Sequence, residues 1–191
     1  MPTIVEELPY DGAHERIERL GLRPLLDEVR SVLTGFELLV EERRDANGGA
    51  FVRKRLDARF DQTGGWSKKV SGDVDWTKCQ VVNGTRVCIG VELQISGRSD
   101  LIIVDLVHLR KAVITGQIDV GVLVVPSDRL GVFMTDRGPK MADAKRLARE
   151  ARVEDWPLLI IAFEHDGSGP ALPKQAMSPT RRYPHKPKRS S

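Results

Sequence analysis

The sequence predicts an α/β fold of mixed α+β character: a central mixed β-sheet, flanked by helices, whose functional end is a β-hairpin. Three observations predict it. Two apolar runs bracket Asn83-Gly84, a strong short-range hairpin signal. Residues 118–125 and 157–163 are β-branched or apolar runs of the kind buried on both faces of a sheet. Segments of helical period precede the hairpin and separate those runs, as crossover connections require.

The elements follow in order. Residues 12–33 repeat apolar side chains at helical spacing (Ile17, Leu20, Leu22, Leu25, Leu26, Val29, Val32, Leu33), and Gly21 with Pro24 divides them into two helices. The run 36–40 fits a helical extension or a short strand. A loop at 45–49 leads to an amphipathic basic helix over 51–60, with Phe51, Leu56 and Phe60 apolar and Arg53, Lys54, Arg55 and Arg59 charged. Gly64 and Gly65 stop it. The hairpin takes 74–82 and 85–95. Then come a helix over 100–115, a strand over 118–125, a loop over 126–139, a helix over 142–151 and a strand over 157–163.

Composition narrows the class. With 191 residues, 40% apolar and 30% charged, the chain suits one soluble domain, placed at 1–170. The remainder, 171–191, is a Pro-punctuated tail with Lys174, Arg181, Arg182, Lys186, Lys188 and Arg189 and no acid. It reads either as a solvated tail or as a loose phosphate-contacting arm. No run reaches the roughly 20 apolar residues of a membrane span, and the N-terminus lacks the basic start and apolar stretch of a secretory signal. The default location is cytoplasmic. Two cysteines and four scattered histidines offer no four-ligand zinc set. His108 reads as structural, and Trp66, Trp76 and Trp156 as core.

The hairpin geometry raises a chemical question. If Asn83-Gly84 is a two-residue turn, Val82 faces Thr85 and Cys79 faces Cys88. Continuing outward, Asp75 faces Glu92 and Asp73 faces Gln94, so all four polar side chains share one sheet face. Opposed Cβ atoms lie only ~4.5–5.5 Å apart. Two carboxylates that close repel unless a cation stands between them. Oxygen donors from Asp75, Glu92, water and a backbone carbonyl such as that of Leu93 suit a hard ion like Mg²⁺. An exposed polar hairpin face is the plain alternative. Cys79 and Cys88 could form a disulfide at this register, but two thiols are expected in a cytoplasmic protein.

An acid on one hairpin strand, Glu92-Leu93-Gln94 on the next, then a helix and a buried strand, resembles the PD-(D/E)XK nuclease superfamily. Gln94 stands where most members carry Lys, which resembles the BglII branch of type II restriction endonucleases. The likeness extends through Gln117-Ile118-Asp119-Val120-Gly121-Val122 and Pro126-Ser127-Asp128-Arg129-Leu130. It implies a restriction-endonuclease-like fold and Mg²⁺-dependent hydrolysis of double-stranded DNA at a short palindrome by a homodimer. Asp75 and Glu92 would then hold the metal, and Gln94 would orient water or a phosphate oxygen. A neutral amide is no base, so the proton would leave by another route. By the same resemblance, Ser96, Arg98, Ser99, Ser127, Asp128 and Arg129 are the candidates for DNA readout. On this reading Arg55 and Arg59 of the basic helix contact the DNA backbone. Two other functions remain open: a structure-directed repair nuclease or junction resolvase with the same metal site, and a non-catalytic DNA-binding module.

Overall fold

The computed structural model describes residues 1–69, 73–135 and 138–174. Of the basic tail, Lys174 lies within this range; Arg181, Arg182, Lys186, Lys188 and Arg189 lie outside the described residues.

A six-stranded mixed sheet forms the centre, in the order β1 (Thr3–Tyr10), β7 (Leu158–Glu164), β6 (Val120–Pro126), β5 (Thr85–Leu93), β4 (Trp76–Val82) and β3 (Ser67–Lys68). Strands β4 (Trp76–Val82) and β5 (Thr85–Leu93) are the expected hairpin, with Val82 opposite Thr85 and Cys79 opposite Cys88. Asn83 and Gly84 both have positive φ, 50° and 79°, the condition a two-residue type I′ turn imposes. From β5 the chain crosses through α4 (Ile102–Ile114) to the parallel β6 (Val120–Pro126). It then crosses through the short α5 (Asp128–Phe133) and α6 (Met141–Glu150) to the parallel β7 (Leu158–Glu164).

The two faces of the sheet bury different helices. Val91 and Leu93 of β5, Val122 and Val124 of β6, and Leu159 and Ile161 of β7 pack with α1 (Ala13–Arg19), α2 (Arg23–Thr34) and α3 (Gly49–Thr63). Leu123, Val125, Leu158 and Ile160 face the other way, against Ile102, Leu106 and Leu109 of α4 and Ala144, Leu147 and Ala148 of α6. Alternation along β5 therefore directs Glu92 to the α4 side. Both faces being covered explains why these strands read as continuous apolar runs.

Several elements differ from expectation. The sheet gains an edge strand, β1 (Thr3–Tyr10), antiparallel to β7. A register shift between Ile4 and Glu6 interrupts its alternation, and Pro9 is tolerated because the strand lies at an edge. Part of the expected 126–139 loop is α5, begun by Ser127, whose Oγ accepts the Leu130 N–H at 3.0 Å. Run 36–40 ends in the two-residue β2 (Leu39–Val40), parallel to β8 (Gly167–Ser168), and β3 (Ser67–Lys68) pairs with β4. Asp73 does not extend β4: its φ of 71° is left-handed and its side chain is exposed, so it leaves the shared face assigned to it. Cys79 and Cys88 form a disulfide rather than two thiols. Directly opposed cysteines whose Cα atoms lie 4.0 Å apart match a non-hydrogen-bonded pair, where side chains approach most closely.

Candidate active site

The site is assembled where β5 ends, and each element contributes for a local reason. Asp75 lies one residue before β4, at the register position opposite Glu92. Its Oδ2 accepts the Leu93 N–H at 3.0 Å, tying the two strand ends together. Glu92 is buried beneath α4, and its Oε1 lies 3.2 Å from His108 Nδ1. Asp105 stands one helical turn before His108, so both project from α4 toward Glu92. One donor atom from each of Glu92, Asp105 and His108 lies within 4.8 Å of the others.

A cation approaches from the opposite side of the sheet. Gly49, at the first position of α3, packs its backbone against Ile95 and Ser96. A Cβ there would collide with the Ile95 carbonyl, so glycine permits the close approach. One turn later Arg53 places Nη2 2.8 Å from Asp75 Oδ1 and donates from Nη1 to the Leu93 carbonyl. Its Nε donates to Asp57 Oδ2 at 3.2 Å, while the Trp76 indole N–H holds Asp57 Oδ1 at 2.9 Å.

The electrostatics express the crowding that the hairpin register predicts. Burial, then the neighbouring Asp75 carboxylate and then Asp105, push Glu92 far above the ordinary carboxylate range. Burial also works to raise Asp75, yet the hydrogen bond with Glu92, the Arg53 guanidinium and the Leu93 N–H outweigh it and hold Asp75 low. Of the two facing carboxyls, Glu92 is thus the one pushed toward its neutral form. Burial and the Asp75 charge push Asp105 up to about 7. One of its oxygens, Oδ2, is buried with no hydrogen-bond partner. Three carboxyl groups thus converge on a space supplied with one guanidinium and one imidazole. An oxygen-rich site short of positive charge, with an orphaned carboxylate oxygen, fits a divalent cation.

The expected residues divide. Asp75, Glu92 and the Leu93 carbonyl come together. Gln94 is buried on the Glu92 side of the strand, where its Nε2 faces the carbonyls of Ser96 and Arg98 at 3.4 and 3.3 Å. It therefore anchors the loop that carries Ser96, Arg98 and Ser99. Arg98 and Ser99 line a cleft with Arg44, Lys140 and Asp143, bringing the loop after β5 beside the segment after α5. Arg98 forms a two-pronged ion pair with Asp100, at 3.0 and 2.7 Å, and Arg129 pairs with Glu42 at 3.0 Å. Ser127 is buried and shared between Leu130 and Glu164, so it is a helix cap and not a surface for bases. Asp128 likewise accepts the Ala142 N–H at 2.7 Å, at the start of α6. Arg55 is exposed and lies over the Phe36 ring, whereas Arg59 donates to the Val32 carbonyl in α2; neither reaches the carboxylates.

Three side chains of the candidate site escaped the sequence reading. His108, read as structural, lies against Glu92 beside Asp105. Asp105 is an acid within an apolar helical repeat, three residues before that histidine, and this i, i+3 pair was the available signal. Arg53 was hidden among four cations of one helix.

A comparison with curated proteins finds no match. Residues 6–163 match the family model described as restriction endonuclease BglII/BglIII.

Proposed function

The chain belongs to the BglII/BglIII family of restriction endonucleases, which makes it a DNA nuclease, and we propose that it is a type II enzyme cutting double-stranded DNA at a short palindrome with Mg²⁺. The observation that carries the metal reading is buried Glu92, opposite Asp75 in the hairpin register and grouped within 4.8 Å with Asp105 and His108, with an orphaned Asp105 oxygen beside it. In this reading Asp75, Glu92 and the Leu93 carbonyl hold the ion. When bound, it supplies charge to the scissile phosphate and acidifies water.

The chain's own groups do the remaining work. Gln94 holds the loop of Ser96, Arg98 and Ser99 against the strand end and orients water or a phosphate oxygen with its amide. It accepts no proton, which passes to solvent or to substrate phosphate. His108 fixes the Glu92 carboxylate, as partners of metal-binding carboxylates do. A second ion position uses Glu92, Asp105 and His108, whose atoms lie within 4.8 Å of one another. An imidazole in the donor set suits a transition-metal ion better than Mg²⁺. Arg98 and Ser99, with Ser96 on the same loop, supply the DNA-facing groups at the cleft; Arg129 and the exposed Arg55 are cations available to phosphate. Ser127 supports that surface from beneath, and the exposed Asp128 ties α5 to the start of α6.

A homodimer matches the symmetry of a palindrome. Its support is the outer face of α4, where Val104, Val107 and Ile114 are 42%, 58% and 68% exposed, with Leu101 just before the helix at 46%. A second copy of the chain could cover these exposed apolar side chains, between which Arg110 and Lys111 are also exposed.

The test is cleavage of mixed-sequence plasmid and phage DNA with Mg²⁺ or Mn²⁺, beside Glu92→Ala and a chelator. Discrete bands lost in both controls support the proposal, and end sequencing yields the site. Cutting confined to branched or damaged DNA indicates a repair nuclease or resolvase. Retardation on a gel without cutting indicates a DNA-binding module.

A further inference from the structure

We propose that Arg53 is a resident cation standing on the metal position, an occupant that the divalent ion must displace before the site becomes competent. The inference rests on the metal reading above and adds a competitor to it. Two of the three groups assigned to the ion are held by one guanidinium: Nη2 lies 2.8 Å from Asp75 Oδ1, and Nη1 donates to the Leu93 carbonyl. These are oxygen donors of the kind a hard divalent ion takes. A guanidinium carries fixed donors and a permanent charge, so it can satisfy the same oxygens in the ion's stead.

The surroundings make this a built position and not a chance surface pair. The Arg53 side chain is only 21% exposed and that of Asp75 13%. Asp57 grips Nε from the next turn of α3, and Asp57 is itself held by the Trp76 indole. The close packing of Gly49 on Ile95 and Ser96 sets the height of α3 against the strand end. Ion and guanidinium would therefore share ligands within a few ångströms, in surroundings that screen charge weakly. They are mutually exclusive on Asp75 Oδ1 and the Leu93 carbonyl. Arg53 is a positioning residue here: it keeps the two strand ends in register while no ion is bound, and it sets the ion concentration at which the site fills.

The experiment titrates Mg²⁺, and separately Ca²⁺, into the full DNA-free chain by isothermal calorimetry, comparing wild type with Arg53→Met and Arg53→Lys. Removing the competitor in Arg53→Met should tighten ion binding by about tenfold or more, while Arg53→Lys, which keeps the charge, should stay near wild type. A purely structural arginine would not tighten metal binding when lost. Equal affinity in wild type and Arg53→Met overturns the inference and leaves the metal reading intact. Binding to neither overturns both. If Arg53→Met does not fold, nitrogen-15 NMR of the wild-type arginine side chains decides. Saturating Ca²⁺ should release the hindered Arg53 Nη signals, and unchanged signals refute displacement.

Discussion

Replacing Glu92 by Gln should stabilise the metal-free protein while abolishing DNA cleavage. Burial and the Asp75 carboxylate keep Glu92 protonated at pH 7, far above its ordinary value of 4.5. The unfolded chain ionises it there, so folding must take up a proton. Each pH unit of that mismatch is worth about 1.4 kcal/mol, and the interval from 4.5 to neutrality amounts to about 3 kcal/mol of lost stability at pH 7. The figure needs only that the buried carboxyl be neutral at pH 7. The sign follows from linkage: above pH 4.5 the folded state binds more protons than the unfolded one, so rising pH destabilises wild type through this group. Gln is neutral at every pH, is close to Glu in size and can still donate to Asp75. The assay is urea unfolding of both proteins with a chelator at pH 5, 6, 7 and 8. The curves should nearly coincide at pH 5 and diverge steadily in favour of Glu92→Gln. A difference constant across the range, or a variant less stable at pH 8, would refute the reasoning.

Other substitutions test other parts of the construction. Asn47, fully buried, bonds Glu41 through both backbone N–H and carbonyl, and also the Phe133 carbonyl and Leu172 N–H. Asn47→Ala strands these groups and should cost about 3 kcal/mol or more in urea unfolding. Opening the Cys79–Cys88 disulfide by Cys79→Ser with Cys88→Ser should cost about 2–3 kcal/mol under non-reducing conditions from loop entropy, and the unreduced wild type should show no thiol titre. Arg98→Ala should weaken binding to all DNA sequences and lower the slope of log affinity on log salt by about one if Arg98 leaves Asp100 for a phosphate; an unchanged slope places it away from the backbone.

Much of the fold was legible because its signals are local. The Asn83-Gly84 turn set the hairpin register down to the Cys79–Cys88 pair, and strand register determines which side chains share a face. That alone brought Asp75 opposite Glu92 and foresaw the crowding of carboxyls found there. The β-branched runs announced buried parallel strands, since a strand covered on both sides has no polar alternation to confuse the reading. Gly21 and Pro24 divided the first two helices as expected. By contrast, β1 was missed because an edge strand is only half covered, and a register shift blurs what alternation it has.

The residues completing the site were decided by packing. Periodicity showed that α4 is a helix, but not that it covers the face onto which Glu92 projects, and only that choice makes Asp105 and His108 its neighbours. The sequence likewise offered four basic residues in α3, and the reading singled out Arg55 and Arg59 but not Arg53. Closure of Gly49 onto Ile95 and Ser96 carries Arg53 to the strand end, while Arg55 and Arg59 lie toward Phe36 and α2. Secondary structure and hairpin register follow from interactions between near neighbours, so the chain by itself determined them. The cation and the two further site residues come from helices brought together across two faces of a sheet, and that meeting exists only in the tertiary structure.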